Sequence, residues 1–157
     1  MKKILLQIWR ILPEWLQAVL SRFIRPSFIV GVSAVIFDDE YRIFLGKSTY
    51  QRFHPWGILG GGLEHGEDTE EAVVREFWEE TSLRIKVEKL LLIRAFAPDK
   101  FILYYLCSIQ QGVFQPSDEV SEAGFFSLDA LPDVRPRDVD VLKEIFEMMG
   151  SQKHELA

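Results

Sequence analysis

Three glutamates mark where this chain can do chemistry. Glu76, Glu79 and Glu80 stand at i, i+3 and i+4, a spacing that puts all three on one face of a helix with neighbouring Cβ atoms about 5–6 Å apart. Like charges so placed destabilise a helix. A water-screened acidic face is the plain alternative, but the neighbours argue for more. Arg75 lies four residues before Glu79, where it can orient a carboxylate, and Glu67 sits just ahead of the helix. Gly61 and Gly62 let backbone approach a ligand closely, and a carbonyl there can join oxygen ligands around a metal. Hard divalent cations such as Mg²⁺ or Mn²⁺ prefer such oxygen donors.

The charge distribution supports this. The chain has 157 residues and a formal charge of −6, yet residues 64–80 hold eight acids against the single base Arg75. The rest is close to neutral, so the acidity is one local feature. Such a cluster repels a bare polyphosphate unless a cation lies between them. No basic stripe is present of the kind that binds nucleic acid non-specifically.

Other reactive residues are weighed against plainer roles. Arg52 and His54, in the loop before the glycines, are the substrate-binding candidates, with ordinary surface positions as the alternative. His65, Lys47 and Arg94 fit either phosphate contacts or solvent. Tyr50, Phe53 and Trp56 can stack on a base or fill core. Cys107, the only cysteine, falls in an apolar strand and reads as buried and inert. One thiol excludes an internal disulfide and points to a reducing compartment. No serine or histidine forms a nucleophile–base arrangement.

The elements that position the glutamates follow from periodicity. Asp68 to Thr81 reads as a helix with apolar face Ala72, Val73 and Phe77, opened by a capping-box pattern of Asp68 with Glu71. Phe28–Phe37 and Tyr41–Leu45 are expected to pair as a hairpin around Asp38-Asp39-Glu40. Lys47–Pro55 reads as loop, Trp56–Leu59 as a short strand, and Gly60–Gly62 as irregular backbone. Arg84–Phe96 and Phe101–Ile109 read as strands about a turn at Pro98–Lys100, with Phe125-Phe126 a last short strand. Val139–Met149 is expected to close the domain as a helix, with Val141, Leu142, Ile145 and Met148 or Met149 inward. Ser151–Ala157 reads as a frayed tail. The order helix, strands, helix, strands, helix fits a mixed sheet between helices, in the α/β class.

The first 26 residues form a separate extension in this reading. Ile8, Leu12, Trp15, Val19 and Phe23 recur at helical spacing over 4–24, with a break at Pro13. The plain role is packing on the domain or on a second copy in a homodimer. The sharper one is a membrane-surface anchor with Lys2, Lys3, Arg10, Arg22 and Arg25 facing lipid. Arg10, Glu14, Arg22 and Pro13 interrupt the run, which excludes a spanning helix. No clear signal-peptide cleavage site is present, and the chain reads as cytoplasmic.

Gly61, five residues, Glu67, seven residues, Arg75-Glu76-Phe77, one residue, Glu79-Glu80, one residue and Ser82-Leu83 together resemble the box of the Nudix hydrolase family. Every charged position of that motif is present at its spacing. Ser82 replaces the last glycine, and Leu59 stands where a proline is frequent. If position 82 needs a positive φ, a non-glycine costs roughly 1–2 kcal/mol there.

The resemblance implies a Nudix-type α/β/α sandwich over residues 27–150. It implies hydrolysis of the pyrophosphate linkage in a nucleoside diphosphate derivative, by water attack at phosphorus with Mg²⁺ or Mn²⁺. It further implies Gly61 (carbonyl), Glu67, Glu76, Glu79 and Glu80 as metal-binding residues, Glu76 or an acid outside the box as base, and Arg75 as the holder of a catalytic glutamate. Glu119 matches a position of an extra acid, with Asp118 and Glu122 as rivals. Two other functions compete: a nucleotide-binding or regulatory domain without turnover, and a membrane-surface hydrolase of a lipid-linked diphosphate.

Overall fold

The structure is a computed structural model that describes residues 9–24 and 27–155. Helix α1 covers Glu14–Ile24, followed by strands β1 (Ile29–Ile36), β2 (Ile43–Ser48) and β3 (Trp56–Gly57). Helix α2 (Thr69–Thr81) precedes strands β4 (Arg84–Ala97), β5 (Lys100–Gln111) and β6 (Val120–Phe126), a 3₁₀ turn at Leu128–Ala130, and helix α3 (Pro136–Glu155).

Two three-stranded sheets form, in the orders β1-β5-β4 and β3-β2-β6. The first is mixed, because β1 runs parallel to β5 while β4 runs antiparallel to it. Alternation along the strands divides the core into two layers. Val32, Ala34 and Ile36 of β1, Tyr105 and Cys107 of β5, and Phe44 of β2 pack with Ala72, Val73 and Phe77 of α2. Val35, Tyr104, Ile43 and Leu45 pack with Val141, Leu142 and Ile145 of α3. One helix therefore covers each face, the expected sandwich. Cys107 is buried, and burial pushes its thiol up to about 12.

The expected hairpin of β1 and β2 does not form. The turn is present: the Asp38 carboxylate accepts from the Glu40 and Arg42 N–H groups at 3.1 and 2.8 Å. Beyond a single bridge at Phe37–Ile43 the strands part into different sheets. The reason is that both edges of β1 are taken. β5 holds one. On the other, the segment 59–63 runs antiparallel, with Ala34 N–H donating to Leu59 O at 2.9 Å, Val32 N–H to Gly61 O at 3.0 Å and Leu63 N–H to Val30 O at 3.0 Å. The glycines read as irregular are thus bonded along a strand edge.

Helix α3 starts earlier and runs later than its periodicity predicts, reaching Glu155 through most of the segment read as a frayed tail. At the N-terminus, helical residues 9–11 and α1 are separated at Pro13, as expected. Ile11 and Trp15 are 83% and 67% exposed, so this chain leaves that part of the apolar face uncovered. Lys2, Lys3, Ile8 and Arg25, invoked in the packing and membrane readings, lie outside the described residues. Among the described residues no helix is long and apolar enough to cross a membrane.

Candidate active site

The acidic face begins with the way α2 is capped. Asp68 accepts from the Glu70 N–H at 2.8 Å, an N-cap one residue nearer than the Glu71 pattern implies. Burial of Ala72, Val73 and Phe77 then fixes the rotation of the helix. At its far end Ser82 adopts φ 60° and ψ 14°, and its N–H donates to Trp78 O at 2.7 Å. The position does require the left-handed conformation that glycine favours.

Arg75 organises the box. Its Nε and Nη2 donate to the two Glu67 oxygens at 2.8 and 2.9 Å, and Nη2 also reaches Gly62 O at 3.1 Å. Its Nη1 donates to Glu76 at 3.0 Å and to Glu79 at 3.3 Å. Hydrogen bonding to Glu67 raises the guanidinium above its ordinary value and, reciprocally, holds the Glu67 carboxyl below its own. Glu67 further accepts from the Glu64 N–H at 3.1 Å, closing the loop onto the helix. Gly61 leaves the room that Glu76 uses, since a Cβ there would meet its carboxylate.

Glu80 differs from the other two. Its Oε2 accepts from the Gly60 N–H at 2.9 Å, tying α2 to the glycine segment. Burial pushes its carboxyl up to about 8, with the charges of Glu76, Glu119 and Glu79 adding to the rise against the lowering effect of the Gly60 N–H. A carboxyl so placed stays anionic near neutral pH only when a cation faces it.

A cleft of about 450 Å³ opens beside Glu80. Gly60–Gly62, Ser48, Tyr50 and Glu119 line it, and so do Lys100, Arg135 and Arg137. Glu119 therefore shares the cleft with Glu80. Its rivals do not line it: Glu122 pairs with Lys47 at 2.5 Å, and Asp118 is exposed with its carbonyl taken by the Thr49 hydroxyl at 2.6 Å.

Arg52 and His54 are not brought to the cleft. Arg52 is exposed, and His54 turns its Nδ1 to Asp133 at 2.6 Å. Lys47 and Arg94 are used in ion pairs with Glu122 and Glu144, and His65 is exposed away from the cleft. Trp56 packs edge-on against Phe126, whereas Tyr50, 70% exposed, stands at the cleft. The sequence reading missed Arg135 and Arg137. Their signal was two bases at the N-terminal end of a helix, one just before it and one in its first turn, where the dipole favours acids.

The donors suit a hard divalent cation: carboxylate oxygens, plus a Gly61 carbonyl that accepts one hydrogen bond from Val32 and retains a second lone pair. Among the described residues, no three acidic, histidine or cysteine side chains are gathered to hold an ion as they stand. Arg75 holds Glu67, Glu76 and Glu79 around its guanidinium.

Known proteins resemble this chain over the same region. It is 32% identical over 109 residues to an ADP-ribose pyrophosphatase of Methanocaldococcus jannaschii, covering 66% of this chain and 64% of that protein. It is 30% identical over 92 residues to the NAD-capped RNA hydrolase NudC of Chromobacterium violaceum, covering 57% of this chain and 35% of that one. The chain thus spans under two thirds of these relatives' lengths. A crystal structure of an ADP-ribose pyrophosphatase from Streptococcus suis superposes with a TM-score of 0.66 at 27% identity, over 76% of this chain and 90% of that one. A UDP-X diphosphatase shares the fold, with a TM-score of 0.73 at 22% identity over 90% and 73% of the two chains. The NUDIX domain model matches residues 27–147, the span that carries both helix-covered faces, the acidic helix and the cleft, and the chain belongs to the NUDIX family.

Proposed function

We propose that this chain hydrolyses the pyrophosphate bridge of a nucleoside diphosphate derivative, with Mg²⁺ or Mn²⁺ as cofactor. The observation that carries this reading is Glu80: a largely buried carboxyl, anchored to the Gly60 N–H, whose charged form is opposed by Glu76, Glu79 and Glu119 in a cleft floored by glycine backbone. Isolated, that arrangement is electrostatically unfavourable. A divalent cation there cancels the charge, polarises the phosphoryl oxygens and acidifies the attacking water.

The chain's own residues supply position and proton transfer. Arg75 orients Glu67, Glu76 and Glu79 through its hydrogen bonds. Glu80, with Glu76, Glu79, Glu67 and the Gly61 carbonyl, would hold the cation. Glu119 enters from the position just before β6, outside that arginine's reach, and is the acid we assign as base for the attacking water. The glycine segment lets phosphate oxygens approach the backbone of β1, and Tyr50 offers a ring for the nucleobase.

The relatives named for ADP-ribose and UDP-linked substrates make nucleoside diphosphate sugars the first compounds to assay. Product formation from ADP-ribose, UDP-sugars and dinucleotides with Mg²⁺ or Mn²⁺ is the test. Turnover that EDTA abolishes is expected, and no turnover across all three classes would overturn the reading.

A further inference from the structure

The cleft is lined by charges of both signs, an acid wall and a basic wall. Its acids are Glu80 of α2 and Glu119, just before β6; its bases are Lys100 of β5, Arg135, just before α3, and Arg137 of α3. The arginines are built in. Asp138 is only 6% exposed and accepts from Arg135 Nε at 2.7 Å, with Arg135 Nη2 at 2.6 Å from the same oxygen and Arg137 Nε at 3.4 Å from the other. These bonds use the Nε–Nη2 edge of Arg135 and leave its Nη1 edge to donate to a ligand. Arg137 lies over the Phe96 ring at 5.3 Å, which restricts its plane. Gly57 makes room for the pair: a Cβ there would stand 2.9 Å from Arg135 Nη2 and 3.2 Å from Asp138 Oδ2.

Charge gives the direction. One buried acid does not offset two guanidiniums and an ammonium, so this wall keeps positive charge facing the cleft. Arg135, just before α3, and Arg137, in its first turn, also oppose the helix dipole. Both features become favourable once an oxyanion occupies the cleft.

We infer that Arg135 and Arg137, assisted by Lys100, are a phosphate clamp that grips a diphosphate in the cleft they share with Glu80 and Glu119, and that Asp138 is the positioning residue that aims Arg135. This deepens the hydrolase reading and rests on it for the identity of the ligand. The clamp itself needs no metal, and that separates the two ideas. The acid wall repels a free diphosphate, whereas the arginine wall attracts it.

The test is calorimetric binding of inorganic pyrophosphate to the full chain in EDTA at low salt, for wild type, R137Q, R135K and the charge-matched control K86Q, which alters an exposed lysine paired with Glu88. R135K keeps a positive charge against buried Asp138 and lacks the planar fork, which guards against unfolding. Expected are measurable wild-type binding that weakens with salt, a loss of at least about tenfold in R137Q and R135K, and wild-type affinity in K86Q. In Mg²⁺, KM should rise in both arginine variants by more than kcat falls, the signature of lost ground-state grip. No pyrophosphate binding by wild type in EDTA, or R137Q and R135K both within twofold of it while melting like wild type, would overturn the clamp. A chain that binds pyrophosphate through these arginines and hydrolyses nothing would overturn the hydrolase reading and leave the clamp. A chain whose turnover ignores R137Q would do the reverse.

Discussion

Glu80 and Glu119 carry the most weight among single residues, and for different reasons. Glu80 is half-buried and hydrogen-bonded to Gly60, so Glu80→Gln keeps the size and the acceptor and removes only the charge. We expect a loss of turnover of at least about 100-fold, the upper end of what losing a partner behind a metal ligand costs, with a circular dichroism spectrum like wild type. Near-normal kcat would take Glu80 out of the ligand set. Glu119 is exposed and reaches the cleft from another element, and Glu119→Gln should slow turnover by roughly 10²–10⁴-fold if it is the base. Glu122→Gln removes only the surface pair with Lys47 and should leave the rate unchanged; a slow Glu122→Gln with a normal Glu119→Gln would exchange their roles. The box residues were legible because their geometry is local, one face of one helix. Arg135 and Arg137 were not, because they join the cleft through the packing of α3, which periodicity does not report. Arg52 and His54, close in sequence to the glycines, do not line the cleft, because nearness in sequence is not nearness in space.

At the scale of elements, the helices and the β4–β5 pairing were readable and the β1–β2 pairing was not. Apolar residues at helical spacing located α2 and the inner face of α3 to within a few residues, since one buried stripe suffices to define a helix. Strand partners depend on who occupies each edge. The glycine segment took the edge of β1 that a hairpin partner would have used, bonded through Leu59, Gly61 and Leu63. That arrangement sets the site, because Gly60 presents its N–H to Glu80 from this anchored segment. The junction of α2 with β4 yields a stability prediction. Ser82 occupies a left-handed cap at φ 60°, a strain of roughly 1–2 kcal/mol for a residue with a Cβ. Glycine relieves it but loosens the unfolded chain by about 0.4–1 kcal/mol. The balance for Ser82→Gly is a gain of about 0.5–1 kcal/mol and a rise in Tm of roughly 1–4 °C, read by thermal denaturation. A lower Tm would mean the serine side chain contributes more than its backbone costs.

For the whole molecule the site imposes a dependence on pH and metal together. Most shifted carboxyls here are lowered by hydrogen bonds, such as Glu67 by Arg75, and their stabilising effect is lost only as pH falls below the ordinary acid range. Glu80 has the opposite sign. Its folded-state value lies near 8 against a reference of 4.5, so the native state binds its proton more tightly than the unfolded chain does. Its contribution is fully present below about 4.5 and is lost as pH rises toward 8, where the buried carboxyl must ionise. The metal-free protein should therefore lose stability relative to Glu80→Gln between pH 5 and pH 8, and the difference should level off above that window. A divalent cation at this site would bind the ionised form, so the gain in Tm from saturating Mg²⁺ or Mn²⁺ should grow over the same interval and be small in Glu80→Gln. Thermal melts of both proteins at several pH values, in EDTA and in metal, measure all of this without a substrate. A wild-type minus variant difference that is flat from pH 5 to 8 would show that Glu80 is solvated in the folded chain, and the electrostatic case for a cation beside it would fail.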